Sequence, residues 1–147
     1  PWWLWDYEYK CSLNFDKILA DHHDEATFQF FLQYLFFGQW LDLKSYANKR
    51  GIFLLGDLPI YAAADSSEVW ANQKLFQIDF ENSTFENVAG VPPDYFNMEG
   101  QFWGNPLYDW KEHEKEEYSW WIDRLKSQTE IFDVVRIDHF RAYNDYS

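Results

Sequence analysis

The sequence predicts an α/β fold built on a parallel sheet. Two segments with helical periodicity, 28–47 and 113–129, are each followed by a short apolar run that suits a buried strand. Helices that alternate with continuous apolar strands are typical of parallel sheets, because the crossover helices cover both faces of the sheet. Charged residues stand at the end of each run, at the edge where α/β proteins bind their ligands.

The first helix is predicted from an apolar stripe that begins at Phe28 and reaches Ala47 in steps of three and four residues. Asp24 is expected to cap its N-terminus. The basic residues at 49–50 complement the negative C-terminal end of a helix, and Gly51 can adopt the left-handed turn that follows it. We therefore expect the helix to end at this glycine.

The strand after this helix is predicted from six residues with almost no polarity that lead to Asp57. Such a run suits a parallel strand that is covered on both faces. Pro59 has no N–H group to donate to a neighbouring strand, so the strand should end at Asp57.

The second helix, 113–129, has an apolar stripe that includes Trp121 and Leu125, and acidic residues crowd its N-terminal turn. The strand that follows, 131–140, is interrupted by Arg136 and Asp138. Because side chains of a strand alternate between faces, these two charges project from the same side of the sheet.

The distance between the two strands exceeds that of a simple crossover. A βαβ unit takes about 30 residues, and the stretch from Pro59 to Asp133 is more than twice as long. We expect 61–110 to form an inserted loop subdomain that leaves the C-terminal end of the first strand. Its Gly, Pro, Asn and aromatic residues favour an ordered loop with specific turns.

The Arg136–Asp138 pair has two interpretations. A guanidinium beside a carboxylate stabilises its charged form, which leaves an ionised oxygen ready to attack an electrophilic carbon. The same pair also suits a structural ion pair, because buried charges must be paired wherever they occur.

Other polar and aromatic residues leave similar alternatives open. Asp57, Asp65 and Asp94 stand where carboxylates could grip sugar hydroxyls, or serve as turn and capping residues. The aromatic residues of the inserted segment either stack on a ligand or form a small satellite core; they are Trp70, Tyr95, Phe96, Trp103, Tyr108 and Trp110. His22, His23 and Asp24 have no partner at helical spacing, so we expect neither a metal site nor a cofactor.

The charge and composition of the chain argue against two classes of partner, nucleic acids and membranes. The net charge of -13 would repel nucleic acid, and no apolar run approaches the ~20 residues of a membrane span. Cys11 is the single cysteine, which fits a reducing, cytoplasmic setting. The 147 residues begin at Pro1 and end nine residues after Asp138, so we expect an internal fragment of a longer catalytic domain.

Four blocks of sequence then suggest a family. They are "GDLPIY" with "DSSEVW" at 56–70, "AGVPPDYF" at 89–96, "GQFWGNPLYDW" at 100–110 and "VVRIDHFR" at 134–141. In this order they resemble the amylomaltases, which are 4-α-glucanotransferases of glycoside hydrolase family 77. The second and third blocks are the specific ones, whereas "RIDHF" alone is shared with the wider α-amylase clan.

The resemblance implies a (β/α)8 barrel to which this chain contributes about the third and fourth strands, with the remainder of the barrel as its partner. It implies transfer of an α-1,4-glucan donor to a glucose or maltooligosaccharide acceptor through a covalent glucosyl-enzyme. Asp138 matches the nucleophile and Arg136 the arginine that orients it. The substrate-binding residues implied by the motifs are Asp65, Asp94, Tyr95, Trp103 and His139.

One departure from the family pattern matters. Retaining chemistry needs a second carboxyl about 5–5.5 Å from the nucleophile, and the family's acid/base glutamate and third aspartate come from later strands than these. Two alternatives therefore stay open, a non-catalytic α-glucan-binding fragment and a hydrolase of the α-amylase clan.

Overall fold

The computed structural model describes most of the chain, and its secondary structure is mixed. The described residues are 1–11, 13–79, 84–85, 87–93, 95, 97–140 and 142–145. The helices are α1 (Tyr7–Lys10), α2 (Phe15–Asp21), α3 (His23–Asn48), α4 (Ser67–Ala71), α5 (Trp110–Lys115), α6 (Ser119–Ile131) and α7 (Ala142–Asp145), with 3-10 turns at Trp2–Leu4 and Gln73–Leu75. The strands are β1 (Leu55–Leu58), β2 (Ile78–Asp79), β3 (Thr84–Phe85), β4 (Val88–Val91), β5 (Gln101–Pro106) and β6 (Val134–Ile137).

The parallel pair that the sequence predicts is present. β1 and β6 are hydrogen-bonded neighbours in parallel register, with Leu55 opposite Val134 and Asp57 opposite Arg136. Each strand directly follows a long helix, α3 before β1 and α6 before β6. The prediction of an α/β fold is confirmed at this level.

Helix α3 confirms the predicted end and corrects the predicted start. Gly51 adopts a φ of 75°, and the Ile52 N–H donates to the Ala47 carbonyl at 3.1 Å, which is the bond that closes a helix over a left-handed residue. At the other end the helix begins at His23, after His22 as N-cap without a capping side chain. The prediction that Asp24 caps the helix is therefore wrong, because Asp24 already lies in the first turn.

The second predicted helix is in fact two helices. α5 ends at Lys115 and α6 begins at Ser119, and between them Glu117 and Tyr118 have φ values of 52° and 57°. The Tyr118 N–H donates to the His113 carbonyl at 2.8 Å, so α5 closes with the same kind of bond as α3. The apolar periodicity continues across the break, which is why the sequence predicts one helix.

The strands are shorter than predicted, and only one face of the pair is packed. Gly56 and Leu58 are buried, whereas Leu55 and Val134 on the opposite face are 65% and 54% exposed. The prediction of strands covered on both faces is not met within the described residues. The uncovered face is the one that carries Asp57 and Arg136.

The core lies between α6 and the segment that follows β1. At its centre is Tyr108, which is 2% exposed and contacts the rings of Phe76, Trp120 and Trp121. Most of the chain between β1 and α5 adds small antiparallel elements, namely the pairs β2–β3 and β4–β5. The aromatic residues of the inserted segment therefore do not share one role. Tyr108 belongs to the core, whereas Tyr95 is fully exposed at 103%.

Within the described parts of the chain, no helix combines the length and the apolarity that crossing a bilayer would require.

Candidate active site

The register of the parallel strands brings three charged side chains together. Asp57 on β1 lies directly opposite Arg136 on β6, and Asp138 follows two residues later on the same face as Arg136. Arg136 Nη1 donates to Asp57 Oδ2 at 2.9 Å, and Arg136 Nη2 donates to Asp138 Oδ1. One guanidinium therefore holds two carboxylates by its two ends.

Asp133 fixes this register at the start of the strands. Its Oδ2 accepts hydrogen bonds from the Leu54 N–H and from Asn48 Nδ2, both at 2.8 Å. The Leu54 hydrogen bond, helped by that from Asn48, lowers the pKa of Asp133 below its usual value. This carboxylate thus ties the end of α3 to the starts of β1 and β6, and it sets which residues face each other further along.

A cavity of about 250 Å³ opens where the strands end. Its lining comes from three separate parts of the chain, and the residues are Pro59, Ile60, Tyr61, Trp103, Asn105, Asp138 and His139. The Trp103 and His139 rings meet edge to face with centroids 5.3 Å apart, and the Tyr61 ring is 6.1 Å from that of Trp103. Asp138 therefore shares a cavity with an aromatic wall.

The backbone turns sharply beside Asp138. The Asp138 N–H still donates to the Leu58 carbonyl at 3.1 Å, as the last link between the two strands. His139 then adopts a φ of 48°, a left-handed conformation that few residues other than glycine adopt, although histidine does so more often than most. The turn ends the strand and leaves Asp138 at its C-terminal edge, where parallel-stranded enzymes place their reacting groups.

The arrangement suits nucleophilic chemistry on a sugar. Arg136 Nη2 orients Asp138 by donating to its Oδ1, and a carboxylate oxygen can attack an electrophilic carbon. Trp103 offers a flat apolar face of the kind on which sugar rings pack, and the largely buried Tyr61 packs beside it. Asn105 adds an amide beside them, although its Nδ2 is engaged by the Ala62 carbonyl at 3.0 Å.

Comparison with known proteins identifies the family of this chain. A family model described as 4-alpha-glucanotransferase, glycoside hydrolase family 77, matches residues 1–146. The chain belongs to this family. It is 44% identical over 147 residues to the 4-alpha-glucanotransferase of Clostridium butyricum, covering 99% of this chain and 30% of the relative. It is 51% identical over 151 aligned residues to that of Thermus thermophilus, covering 99% of this chain and 29% of the relative.

A solved structure shows the same family relationship. The amylomaltase from Streptococcus agalactiae in complex with acarbose superposes with a TM-score of 0.84 at 39% identity, covering 99% of this chain and 30% of that protein. This member of the glucanotransferase family therefore spans about 30% of the length of the relatives described above.

The structure brings some of the expected glucanotransferase residues together and separates others. Asp138, Trp103 and His139 line one cavity, and Arg136 is bonded to Asp138. Asp65 is exposed in the turn before α4 and is not among the cavity-lining residues that the structure describes. Tyr95 is exposed and likewise absent from that lining. Asp94 and Phe96 lie outside the described residues.

Among the four cavity residues that the sequence did not identify as site residues, Tyr61 and Asn105 are the two with polar side-chain groups. Both had a usable signal. Tyr61 comes two residues after the proline that ends the first strand, and Asn105 stands inside the specific block "GNPLYDW". Their selection would have required knowing that β5 returns to the end of β1.

Proposed function

We propose that the full-length protein is a 4-alpha-glucanotransferase that moves a segment of an α-1,4-glucan onto glucose or a maltooligosaccharide. The observation that carries the proposal is the position of Asp138, which is bonded to Arg136 at the end of a parallel strand and lines an aromatic cavity. Family membership supports the reaction class. The acarbose complex of the Streptococcus agalactiae amylomaltase supports an oligosaccharide ligand.

In the proposed reaction an Asp138 carboxylate oxygen attacks the anomeric carbon of the donor. The bond from that carbon to the leaving glycosidic oxygen breaks, and the leaving oxygen takes a proton from a carboxylic acid that the rest of the protein supplies. The acceptor's hydroxyl then displaces Asp138 while returning its proton to that carboxylate. Two displacements at one carbon retain its configuration.

The remaining expected residues have roles that follow from the family motifs. We infer that Trp103 and His139 bind the donor sugar beside Asp138, and that Asp65, Asp94 and Tyr95 contact the glucan further along. We also infer a (β/α)8 barrel in which β1 and β6 are about the third and fourth strands and the rest of the protein supplies the others. The insertion 61–110 would then stand at its open end.

The single cysteine supports a cytoplasmic location.

The test is Asp138→Asn in the full-length protein, with maltotriose as substrate. Without a nucleophilic carboxylate, disproportionation should fall by at least about 10³-fold, while the melting temperature stays close to that of the wild type. Asp123→Asn makes the same chemical change on the exposed surface of α6 and should leave the rate unchanged. Wild-type activity in Asp138→Asn would overturn the assignment.

The product pattern separates transfer from hydrolysis. A transferase converts maltotriose into glucose and longer maltooligosaccharides, because glucose leaves and a sugar hydroxyl accepts the remaining maltosyl unit. A hydrolase of the α-amylase clan converts it into glucose and maltose with no longer product. Chromatography of the early products distinguishes the two.

A further inference from the structure

The backbone that follows β1 is held by side chains from distant parts of the sequence. This post-β1 segment, residues 59–64, has no regular secondary structure. Its carbonyl groups accept from Arg124 Nη2 at Pro59 (2.9 Å), Tyr108 Oη at Ile60 (2.6 Å), Asn105 Nδ2 at Ala62 (3.0 Å) and Trp2 Nε1 at Ala64 (2.8 Å). Ile60 and Ala62 are buried, so their carbonyl groups need partners, whereas the Arg124 bond to Pro59 lies at the surface. Together the four donors take the place of a neighbouring strand.

Arg124 supplies more of these bonds than any of the other three residues. Its Nη1 also donates to the Ile60 carbonyl at 3.3 Å and to the Tyr108 hydroxyl at 3.1 Å. The guanidinium carbon lies 5.1 Å from both the Trp120 and Trp121 ring centroids, so the aromatic rings restrict its position. A planar fork of donors suits two neighbouring carbonyl groups in a way that a single ammonium cannot.

Tyr108 extends the same network toward the cavity. Burial raises the pKa of Tyr108 well above its ordinary value, so the hydroxyl keeps the proton that it donates to Ile60. The Tyr108 ring stacks on Tyr61 with centroids 6.0 Å apart and planes 16° apart. Tyr61 in turn lines the cavity that contains Asp138.

We infer that Arg124 is a positioning residue for the sugar-binding cavity, which it does not itself line. By holding the Pro59 and Ile60 carbonyl groups and the Tyr108 hydroxyl, it fixes the wall formed by Pro59, Ile60 and Tyr61. Loss of its guanidinium lets that wall move relative to Asp138, which weakens and misorients the bound donor. The inference rests on the proposed glucanotransferase function.

The experiment compares Arg124→Met with Arg50→Met in the full-length protein. Arg50 likewise donates to a carbonyl group, that of Tyr46 at 3.1 Å, and stacks on the Tyr46 ring, but it follows the end of α3 and is not part of the cavity. Both variants should lower the melting temperature. Only Arg124→Met should lower kcat/KM for maltotriose, by roughly 10²-fold and mostly through KM, when both are assayed well below their melting temperatures.

A second variant and a chemical-rescue measurement complete the test. Arg124→Lys can reach one carbonyl group and should give an intermediate KM even if Arg124→Met does not fold. Millimolar guanidinium should lower the KM of Arg124→Met, whereas methylammonium should not. A wild-type KM in Arg124→Lys or Arg124→Met, or an equal rise in KM in Arg50→Met, would overturn the inference. A wild-type KM together with an inactive Asp138→Asn defeats this inference alone, whereas an active Asp138→Asn defeats the proposed function.

Discussion

At the scale of single residues, the site depends on one cation that serves two anions. Arg136 bonds Asp57 with one terminal nitrogen and Asp138 with the other. All three side chains are about half exposed in the described chain, so the strength of the attraction matters less than its direction. Because the guanidinium is planar, holding Asp57 also fixes the angle at which Asp138 is held.

Arg136→Lys should therefore damage catalysis although it keeps the charge. An ammonium can approach Asp57 or Asp138 but cannot hold both in one plane, so kcat for maltotriose should fall by about 10²-fold. Arg50→Lys is the matched control, since Arg50 stacks on Tyr46 at the far end of α3. Unchanged turnover in Arg136→Lys would show that charge alone is sufficient.

His113 is a buried histidine whose protonation should affect the stability of the protein. It is fully buried among the rings of Tyr108, Trp110 and Trp120, and neither ring nitrogen makes a hydrogen bond of ordinary geometry to the residues that the structure describes. Burial lowers the pKa of His113 below 6.5, although the nearby Leu75 carbonyl opposes part of this shift. The neutral imidazole is therefore the form that fits the fold.

This predicts a loss of stability in acid. The unfolded chain binds a proton at His113 more readily than the folded one, so the stability from the neutral ring is present above about pH 6.5 and is lost as the pH falls through the lower folded value. His113→Gln should flatten that part of the profile, and exposed His22→Gln should not. Urea unfolding midpoints of the full-length wild type and variants, measured between pH 7.5 and 5, report the difference. Parallel profiles for wild type and His113→Gln would contradict the prediction.

At the scale of elements, two helix ends show what the sequence could and could not predict. α3 is followed by Gly51 in the left-handed conformation, and the sequence identifies that end because glycine adopts this conformation most readily. α5 closes with the same hydrogen bond, but a glutamate occupies the left-handed position. Tertiary packing of the aromatic cluster overrides the local preference there, and no residue type in the sequence marks the break.

Glu117→Gly should therefore stabilise the protein. Glycine accepts the left-handed conformation without the Cβ penalty, so the gain should be about 0.5–1 kcal/mol. Glu114→Gly, three residues earlier and inside α5, should instead destabilise by a similar amount, roughly 0.5–1 kcal/mol. Chemical denaturation of both variants gives opposite signs if the break is a strained cap, and equal losses would argue against it.

The pattern of the two parallel strands makes part of the active site predictable from the sequence. The two-residue repeat of a strand places Arg136 and Asp138 on one face, so sequence alone identifies the pair. The opposing Asp57 follows once β1 and β6 are in register, which Asp133 controls from the other end of the strands. The position of Tyr61 and Asn105 in the cavity depends on contacts across more than forty residues, such as the bond from Asn105 to Ala62, and the local sequence around each residue does not reveal those contacts.

At the scale of the whole molecule, much apolar surface is left uncovered. Ala47 is the one buried residue of α3, all of whose residues the structure describes. The large exposed side chains of this helix are Phe28, Phe30, Phe31, Leu32, Tyr34, Leu35, Phe36, Phe37, Leu41, Leu43 and Tyr46. Soluble proteins rarely leave so much apolar side-chain surface in water, so we expect the rest of the proposed barrel to cover this helix.

The 147 residues expressed alone should accordingly lack a firm tertiary structure. Two parallel strands have unpaired edges, and α3 offers apolar side chains on all its faces, so the polypeptide should bind a hydrophobic dye and melt without a sharp transition. The full-length protein serves as the comparison under the same conditions. A sharp, cooperative melt of the monomeric piece would contradict the expectation.

The pairing of Asp57 with Arg136 also limits how this lineage can vary. Deleting or inserting one residue within β1 or β6 would turn every later side chain of that strand to the other face. A change in β1 would turn Asp57 toward the helices, and a change in β6 would do the same to Asp138. Length changes in the β2–β3 pair, which contributes no described residue to the cavity, carry no such penalty. Over generations, gains and losses of residues should therefore accumulate in the β2–β3 pair, while β1 and β6 keep a constant length.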